Sequence, residues 1–215
     1  MPHLTAVLFD YGQVLSGPPD PAARERLMQA LHEPSLERFH HAYWKFRDQY
    51  DRGLLNASDY WHATTAELGK SLDEATLHEL FAADAAVWSQ PNREMIDWAA
   101  ALQRAGFRVG LLSNIGDAME TAIMAQFAWL RAFDHHTFSH RLLIAKPDLA
   151  IYAHAVEGLG VPPSEILFID DREENIEAAR KAGLNAIQYT GHEAFVAAMQ
   201  QAGYAELLSP ETAKP

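Results

Sequence analysis

Three short apolar runs in this chain stop abruptly at polar side chains. Leu4 to Phe9 ends at Asp10, Phe107 to Leu112 at Ser113 and Asn114, and Ile166 to Ile169 at Asp170 and Asp171. Runs this short and this apolar read as strands buried on both faces, and Ala186 to Tyr189 is a weaker fourth. Helical patterns alternate with them. Arg93 to Ala105 closes at Gly106, and Glu173 to Ala182 closes at Gly183, both at helix-ending glycines. Pro147 to Gly158 opens with proline in a first-turn position and Asp148 beside it. Strands alternating with helices predict an α/β fold with a mostly parallel sheet. Ligands of such sheets bind outside the carboxyl ends of the strands. The topology would therefore gather the polar strand-end residues in one crevice, with Lys146, just before a helix, at the same edge.

The stretch from about Pro18 to Val87 has helical periodicity and no convincing strand. Pro21 to Leu31, Leu36 to Tyr50, Ser58 to Leu68 and Leu72 to Trp88 predict four helices, the last introduced by a Ser71–Glu74 capping box. The expected division is a core of residues 1–16 and 90–208 with a helical insertion over 17–89. The polar tail after Leu208 is expected to fray.

Bulk properties narrow the chemistry. The 215 residues carry a formal net charge of -12, which disfavours nucleic acid and anionic membrane as partners. Any phosphate site must then find positive charge locally, from a metal or a placed lysine. The chain has no cysteine, which excludes thiolate chemistry and fits a cytoplasmic setting. Neither a signal peptide nor a membrane span is expected.

Taken singly, an aspartate after a strand is an ordinary turn former, and Lys-Pro an ordinary helix start. Together the strand-end residues support coherent chemistry. Carboxylates collected at one edge repel one another unless a cation joins them, and a few hard oxygen ligands favour magnesium. A carboxylate can attack phosphorus to give an acyl phosphate, dividing one displacement into two steps. The Ser113 hydroxyl, Asn114 amide and Lys146 ammonium would hold the oxygens over which transition-state charge spreads. The 11 histidines are read as solvated or core residues. His136 and His140 are four apart, but Thr137, Phe138 and Ser139 between them make a poor helix, and adjacent His40 and His41 cannot share a helix face.

These residues fall in a pattern that resembles the haloacid dehalogenase superfamily. Leu8-Phe9-Asp10-Tyr11-Gly12-Gln13-Val14-Leu15 resembles its first motif, and Leu111-Leu112-Ser113-Asn114 its second. Lys146-Pro147 resembles the third, and Phe168-Ile169-Asp170-Asp171, with Asn175 four residues on, the fourth. The resemblance implies a Rossmann-like core with a helical cap inserted after the first strand, and a magnesium-dependent phosphatase acting on a small phosphorylated metabolite. It implies Asp10 as nucleophile and metal ligand, and the Gly12 carbonyl as a second ligand. Asp171 would be the main acidic ligand of the last motif, Asp170 a ligand through water or a supporting partner, and Asn175 a brace for that loop.

One departure matters. Most phosphatases of the superfamily carry a second aspartate, as general acid and base, where this chain has Gly12. Loss of such a group costs roughly 10²–10⁴-fold. A subgroup resembling bacterial glucose-1-phosphate phosphatases has Asp-x-Gly-Asn-Val here, close to Asp10-Tyr11-Gly12-Gln13-Val14, which suggests a sugar phosphate. Two alternatives stay open: a metal-free 2-haloacid dehalogenase, against which the paired Asp170 and Asp171 argue, and a phosphate-binding protein without turnover. In the aromatic and cationic run Tyr43-Trp44-Lys45-Phe46-Arg47, Tyr43 or Arg47 could reach a leaving group, though helically spaced aromatics more commonly form core.

Overall fold

The first strand, β1 (Ala6–Phe9), lies at the centre of a five-stranded parallel sheet in the computed structural model, which describes residues 3–210. On one side follow β2 (Arg108–Ser113) and β3 (His135–Phe138), on the other β4 (Ile166–Asp170) and β5 (Asn185–Gln188), giving the order β3-β2-β1-β4-β5. The order reverses at β1, the position where open α/β sheets form a ligand crevice. Phe9 is in register with Leu111 and Ile169, so one further step sets Asp10 level with Leu112 and Asp170.

After β1 come a tight turn, Tyr11–Leu15, and five inserted helices: α1 (Pro21–Ala30), α2 (Leu36–Lys45), α3 (Arg47–Asp51), α4 (Ala57–Glu67) and α5 (Glu74–Val87). They share a core of their own, built on Leu27, Phe39, Tyr43, Tyr60, Trp61 and Leu80. The remaining helices are α6 (Arg93–Arg104), α7 (Asp117–Gln126), α8 (Ala128–Arg131), α9 (Ser139–Leu142), α10 (Leu149–Leu159), α11 (Glu173–Lys181) and α12 (His192–Gln201).

Alternation along the strands divides the core into two layers. Ala6, Leu8, Leu112, Ile166 and Phe168 face Ile151, Tyr152 and Leu159 of α10 and Ile176 of α11. Val7, Phe9, Val109, Leu111, Leu167 and Ile169 face Met95 and Trp98 of α6, Ile123 of α7 and Phe195 of α12. Phe9 meets Trp98 edge to face at 5.4 Å. Each such large side chain contributes roughly 1.5–3 kcal/mol by leaving water, so the sheet that presents the polar strand ends is also the most heavily buried part of the chain.

Several expectations are corrected in detail. The predicted helix Leu36 to Tyr50 breaks at Phe46, whose φ of -110° and ψ of 2° separate α2 from α3. Asp73, not the Ser71–Glu74 pair, caps α5 by accepting from the Thr76 amide at 2.8 Å. Pro147 stands ahead of α10, behind a cis Lys146–Pro147 peptide, and the helix closes at Gly160 rather than Gly158. The segment around His136, read as neither helix nor strand, supplies β3, while α7 and α12 had no counterpart in the sequence pattern. Gly106 and Gly183 do follow their helices in the left-handed region, at φ of 92° and 88°. The tail is described only as far as Pro210, so residues 211–215 lie outside the described residues. Among the described residues no helix is long and apolar enough to cross a membrane.

The inserted helices seat on the sheet at a glycine. A Cβ on Gly116, in the loop after β2, would lie 2.1 Å from the ring of Tyr50, itself fully buried and stacked on Tyr60 at 4.6 Å. Gly116→Ala is expected to lower stability in urea by about 1–3 kcal/mol through overpacking; an unchanged midpoint would contradict this seating.

Candidate active site

Asp10 ends β1, and its carboxylate is asymmetrically held. Oδ1 accepts from the Tyr11 amide at 2.7 Å and faces the Lys146 ammonium at 2.8 Å, while Oδ2 has no hydrogen-bond partner among the described residues. The backbone is fixed by the Asp10 amide, which donates to the Ile169 carbonyl at 2.9 Å. Burial pushes the carboxyl up to about 7 despite Lys146, with Asp170 and Asp171 adding to the rise. A carboxylate in this setting is poorly solvated and close to cationic help, which suits a nucleophile.

Lys146 is buried at the same edge. Its ammonium reaches Asp10 Oδ1, donates to Asp170 Oδ2 at 2.6 Å and donates to the Leu112 carbonyl at 3.0 Å. Burial works to lower its pKa, and the two carboxylates more than offset this, so the group stays charged. Its ammonium thus sits between two carboxylates and a carbonyl, and the residue still lines the cavity. Asn114 differs from expectation. Its side chain donates to the Lys146 carbonyl at 2.9 Å and accepts from the Lys146 amide at 2.8 Å. It is a clamp on the lysine's backbone.

Asp170 is fully buried and committed at both oxygens. Oδ2 takes Lys146, and Oδ1 accepts from the Arg172 amide and from Asn175 Nδ2, each at 2.9 Å. Asn175 is held in turn by Tyr152, whose hydroxyl donates to its carbonyl at 2.9 Å. Asp171 turns the other way. It lines the cavity, its Oδ2 accepts from Gln13 Nε2 at 2.7 Å, and Oδ1 has no partner among the described residues. Burial, with Asp170 next, raises its pKa. Asp10, Asp170 and Asp171 each offer an oxygen within 4.8 Å of the others. The chemistry of this set, hard oxygens with an open atom on Asp10 and another on Asp171, fits a hard divalent cation.

Gly12 lines the same cavity. Its φ of -62° and ψ of 127° are open to any residue, and a Cβ there would meet nothing within 4 Å. Glycine is therefore not required by the backbone, and the position simply lacks a carboxyl. Gln13 is the strained residue of the turn, at φ 57°, and this conformation accompanies its bond to Asp171. Sequence reasoning passed over Gln13; its place in the Asp-Tyr-Gly-Gln-Val run was the available signal.

The cavity, of about 480 Å³, suits a small metabolite. It brings together Asp10, Gly12, Ser113, Asn114, Lys146 and Asp171, with Trp44, Arg47, Asp48, Asp51 and Arg52 from the inserted helices opposite. Tyr43 does not line it. Its hydroxyl donates to Asp84 at 2.6 Å inside the helical core, so the reading of Tyr43 as a leaving-group contact is corrected. Arg47 does reach the cavity, but its Nε donates to Asp51 at 2.9 Å and its Nη1 to the Tyr43 hydroxyl. Trp44, 52% exposed, gives the wall an apolar face that the sequence did not single out.

A profile described as "Hydrolase: haloacid dehalogenase-like hydrolase" matches residues 6–183. Among curated proteins the chain is 32% identical over 124 residues to bifunctional epoxide hydrolase 2 of Rattus norvegicus, covering 55% of this chain and 22% of that one. It is 34% identical over 87 residues to (S)-2-haloacid dehalogenase 4A of Burkholderia cepacia, covering 40% of this chain and 38% of the other. The chain thus spans well under half the length of these two relatives. It is 28% identical over 198 residues to the N-acetylmuramic acid 6-phosphate phosphatase of Pseudomonas aeruginosa, covering 87% and 83%. A haloacid dehalogenase-family enzyme of Bacteroides thetaiotaomicron, solved in complex with magnesium and inorganic phosphate, superposes with a TM-score of 0.71 at 22% identity, over 88% of this chain and 96% of that one. That likeness establishes the shared fold. With the profile spanning four of the five strands and every strand-end residue described above, this chain belongs to the haloacid dehalogenase-like hydrolases.

Proposed function

We propose that the chain is a magnesium-dependent phosphomonoester hydrolase acting on a small phosphorylated metabolite, a sugar phosphate in the finer reading, with Asp10 as nucleophile. The observation that carries this is the pairing of Asp10 and Asp171, each with one uncommitted oxygen at the mouth of one cavity. Two such carboxylates coexist at low cost only when a cation joins them. The Pseudomonas phosphatase, related over most of both chains, and the Bacteroides structure with magnesium and phosphate support the same reading.

The Asp10 carboxylate attacks phosphorus in line, oriented by the Tyr11 amide and Lys146. Lys146 balances the charge of Asp10 and Asp170 through both steps, and Asn114 keeps its backbone in place. Ser113 supplies a hydroxyl toward the phosphoryl oxygens. Asp170 fixes the loop that presents Asp171, through the Arg172 amide and Asn175. Magnesium held by Asp10, Asp171 and the Gly12 carbonyl would shield the nucleophile's charge from that of the phosphate. Residues 17–89 act as a cap over the cavity, and Trp44 and Arg47 contact the leaving group.

Phosphate release from p-nitrophenyl phosphate tests the reading. We expect release with magnesium, none with EDTA, and in Asp171→Ala a magnesium response that is strongly weakened or absent. Magnesium-independent chloride release from 2-chloropropionate, without phosphatase activity, would replace this function with dehalogenation.

Lys146→Met should leave two buried carboxylates without their cation and cost about 3–5 kcal/mol. Asp10 is already raised to about 7 with the lysine present. Without it the folded-state pKa climbs further, and a carboxyl raised on folding loses stability as pH rises past its unfolded value. The deficit in urea should therefore be small near about pH 5 and large near about pH 8. An equal deficit at both would show that the lysine does not balance these charges.

A further inference from the structure

Gly12 leaves the candidate site without a carboxyl where a general acid would stand, and the cavity wall offers another. Asp10, Asp48, Asp51, Asp171 and Glu174 are its acidic residues. Asp10 and Asp171 belong to the phosphoryl end. The Asp48 side chain is 77% exposed and bonded to Arg52, and Glu174 is exposed and paired with Arg172. Asp51 alone of these lies across the cavity, shielded, and with an atom to offer. Its Oδ1 accepts from Arg47 Nε at 2.9 Å, and its Oδ2 has no partner among the described residues.

The segment that carries it is pinned to the sheet side. The Asp51 carbonyl accepts from the Ser139 hydroxyl, and Arg52 Nη1 donates to Asp148 at 2.6 Å. A Cβ on Gly53 would lie 2.3 Å from the His140 carbonyl, so the backbone at this turn rests directly on α9, the short helix after β3. Asp51 is thus fixed relative to the strand ends although it belongs to the inserted helices.

We propose that Asp51 is the general acid and base of this site, replacing the carboxyl that Gly12 lacks. The assignment rests on the phosphatase reading above. In the first half-reaction Asp10 forms a bond to phosphorus, and the phosphorus–ester oxygen bond breaks with its electron pair on that oxygen. Asp51 passes its proton to the same oxygen, and the alcohol leaves. In the second, the Asp51 carboxylate takes a proton from water as the water oxygen bonds to phosphorus, and the phosphorus–Asp10 bond breaks to return the Asp10 carboxylate and inorganic phosphate. Arg47 steadies the Asp51 carboxylate between the two steps. Burial raises the Asp51 carboxyl to about 6 against the pull of Arg47, with Asp84 and Asp48 adding to the rise, so both forms are accessible near neutrality.

The test compares esters by leaving group in Asp51→Asn, using p-nitrophenyl phosphate and the alkyl phosphate that the unaltered protein hydrolyses best. Nitrophenolate departs without a proton, so a rapid burst of one nitrophenolate per enzyme should survive, followed by slow turnover. Alcohol release from the alkyl ester should fall roughly 10²–10⁴-fold, with no burst. Gly12→Asp placed in that variant should recover much of the alkyl ester activity, because a side chain there meets nothing and the acid is restored. Unchanged alkyl ester turnover in Asp51→Asn, or a nitrophenolate burst lost to the same degree, overturns the assignment. An unaltered protein that releases phosphate from neither ester overturns the phosphatase reading itself.

Discussion

A buried ammonium between two buried carboxylates organises this protein's strand ends. Lys146 lies within 2.8 Å of Asp10 and 2.6 Å of Asp170, two carboxylates that the sheet alone would leave as adjacent, mutually repelling strand ends. Isolated burial of any one would be costly, and only their combination offsets the loss of water. The consequences spread outward. Asp170 must keep its remaining oxygen satisfied, which draws in the Arg172 amide and Asn175. Lys146 must be held at one depth, which Asn114 does through that residue's own amide and carbonyl. The neighbouring aspartate, Asp171, is thereby directed into the cavity with an oxygen to spare.

The same arrangement separates roles among residues that look alike. Asp170 and Asp171 are adjacent acids, yet one is fully buried and saturated while the other is partly open. Asp10 divides its two oxygens between support and availability. The inserted helices add a wall with different chemistry: Trp44 is apolar and half exposed, while Arg47 and Asp51 are charged and mostly shielded. Under the proposed mechanism this division gives a phosphoryl end and a leaving-group end, and the inserted helices would act as a partner in the chemistry as well as a cover.

Much of this was legible in the residues themselves. Apolar runs ending at Asp10, Ser113 and Asp170 are informative because strands of a parallel sheet are buried on both faces, so a polar break marks their end. The strand β3 was hidden for the opposite reason. It is an edge strand of four residues, His135–Phe138, whose histidines and threonine give no apolar run. The break at Phe46 was invisible because the aromatic and cationic run on either side keeps one helical period. The Asn114 clamp could not be read either, since a side chain's choice between its neighbour's backbone and a ligand depends on distances that only the fold sets. Tyr43 shows the bland reading of a helical aromatic prevailing, since burial against Phe39, Tyr60 and Trp61 accounts for it.

The central claim is that Asp10 carries the phosphoryl group between the two half-reactions. The measurement that meets it most directly is mass spectrometry of the protein quenched in acid during turnover of a phosphate ester with magnesium. The account predicts one phosphoryl group per chain, on the peptide containing Asp10 and absent after quenching without substrate. A protein that turns over at the same rate yet carries no phosphoryl group on that peptide, under conditions that preserve acyl phosphates, would contradict it.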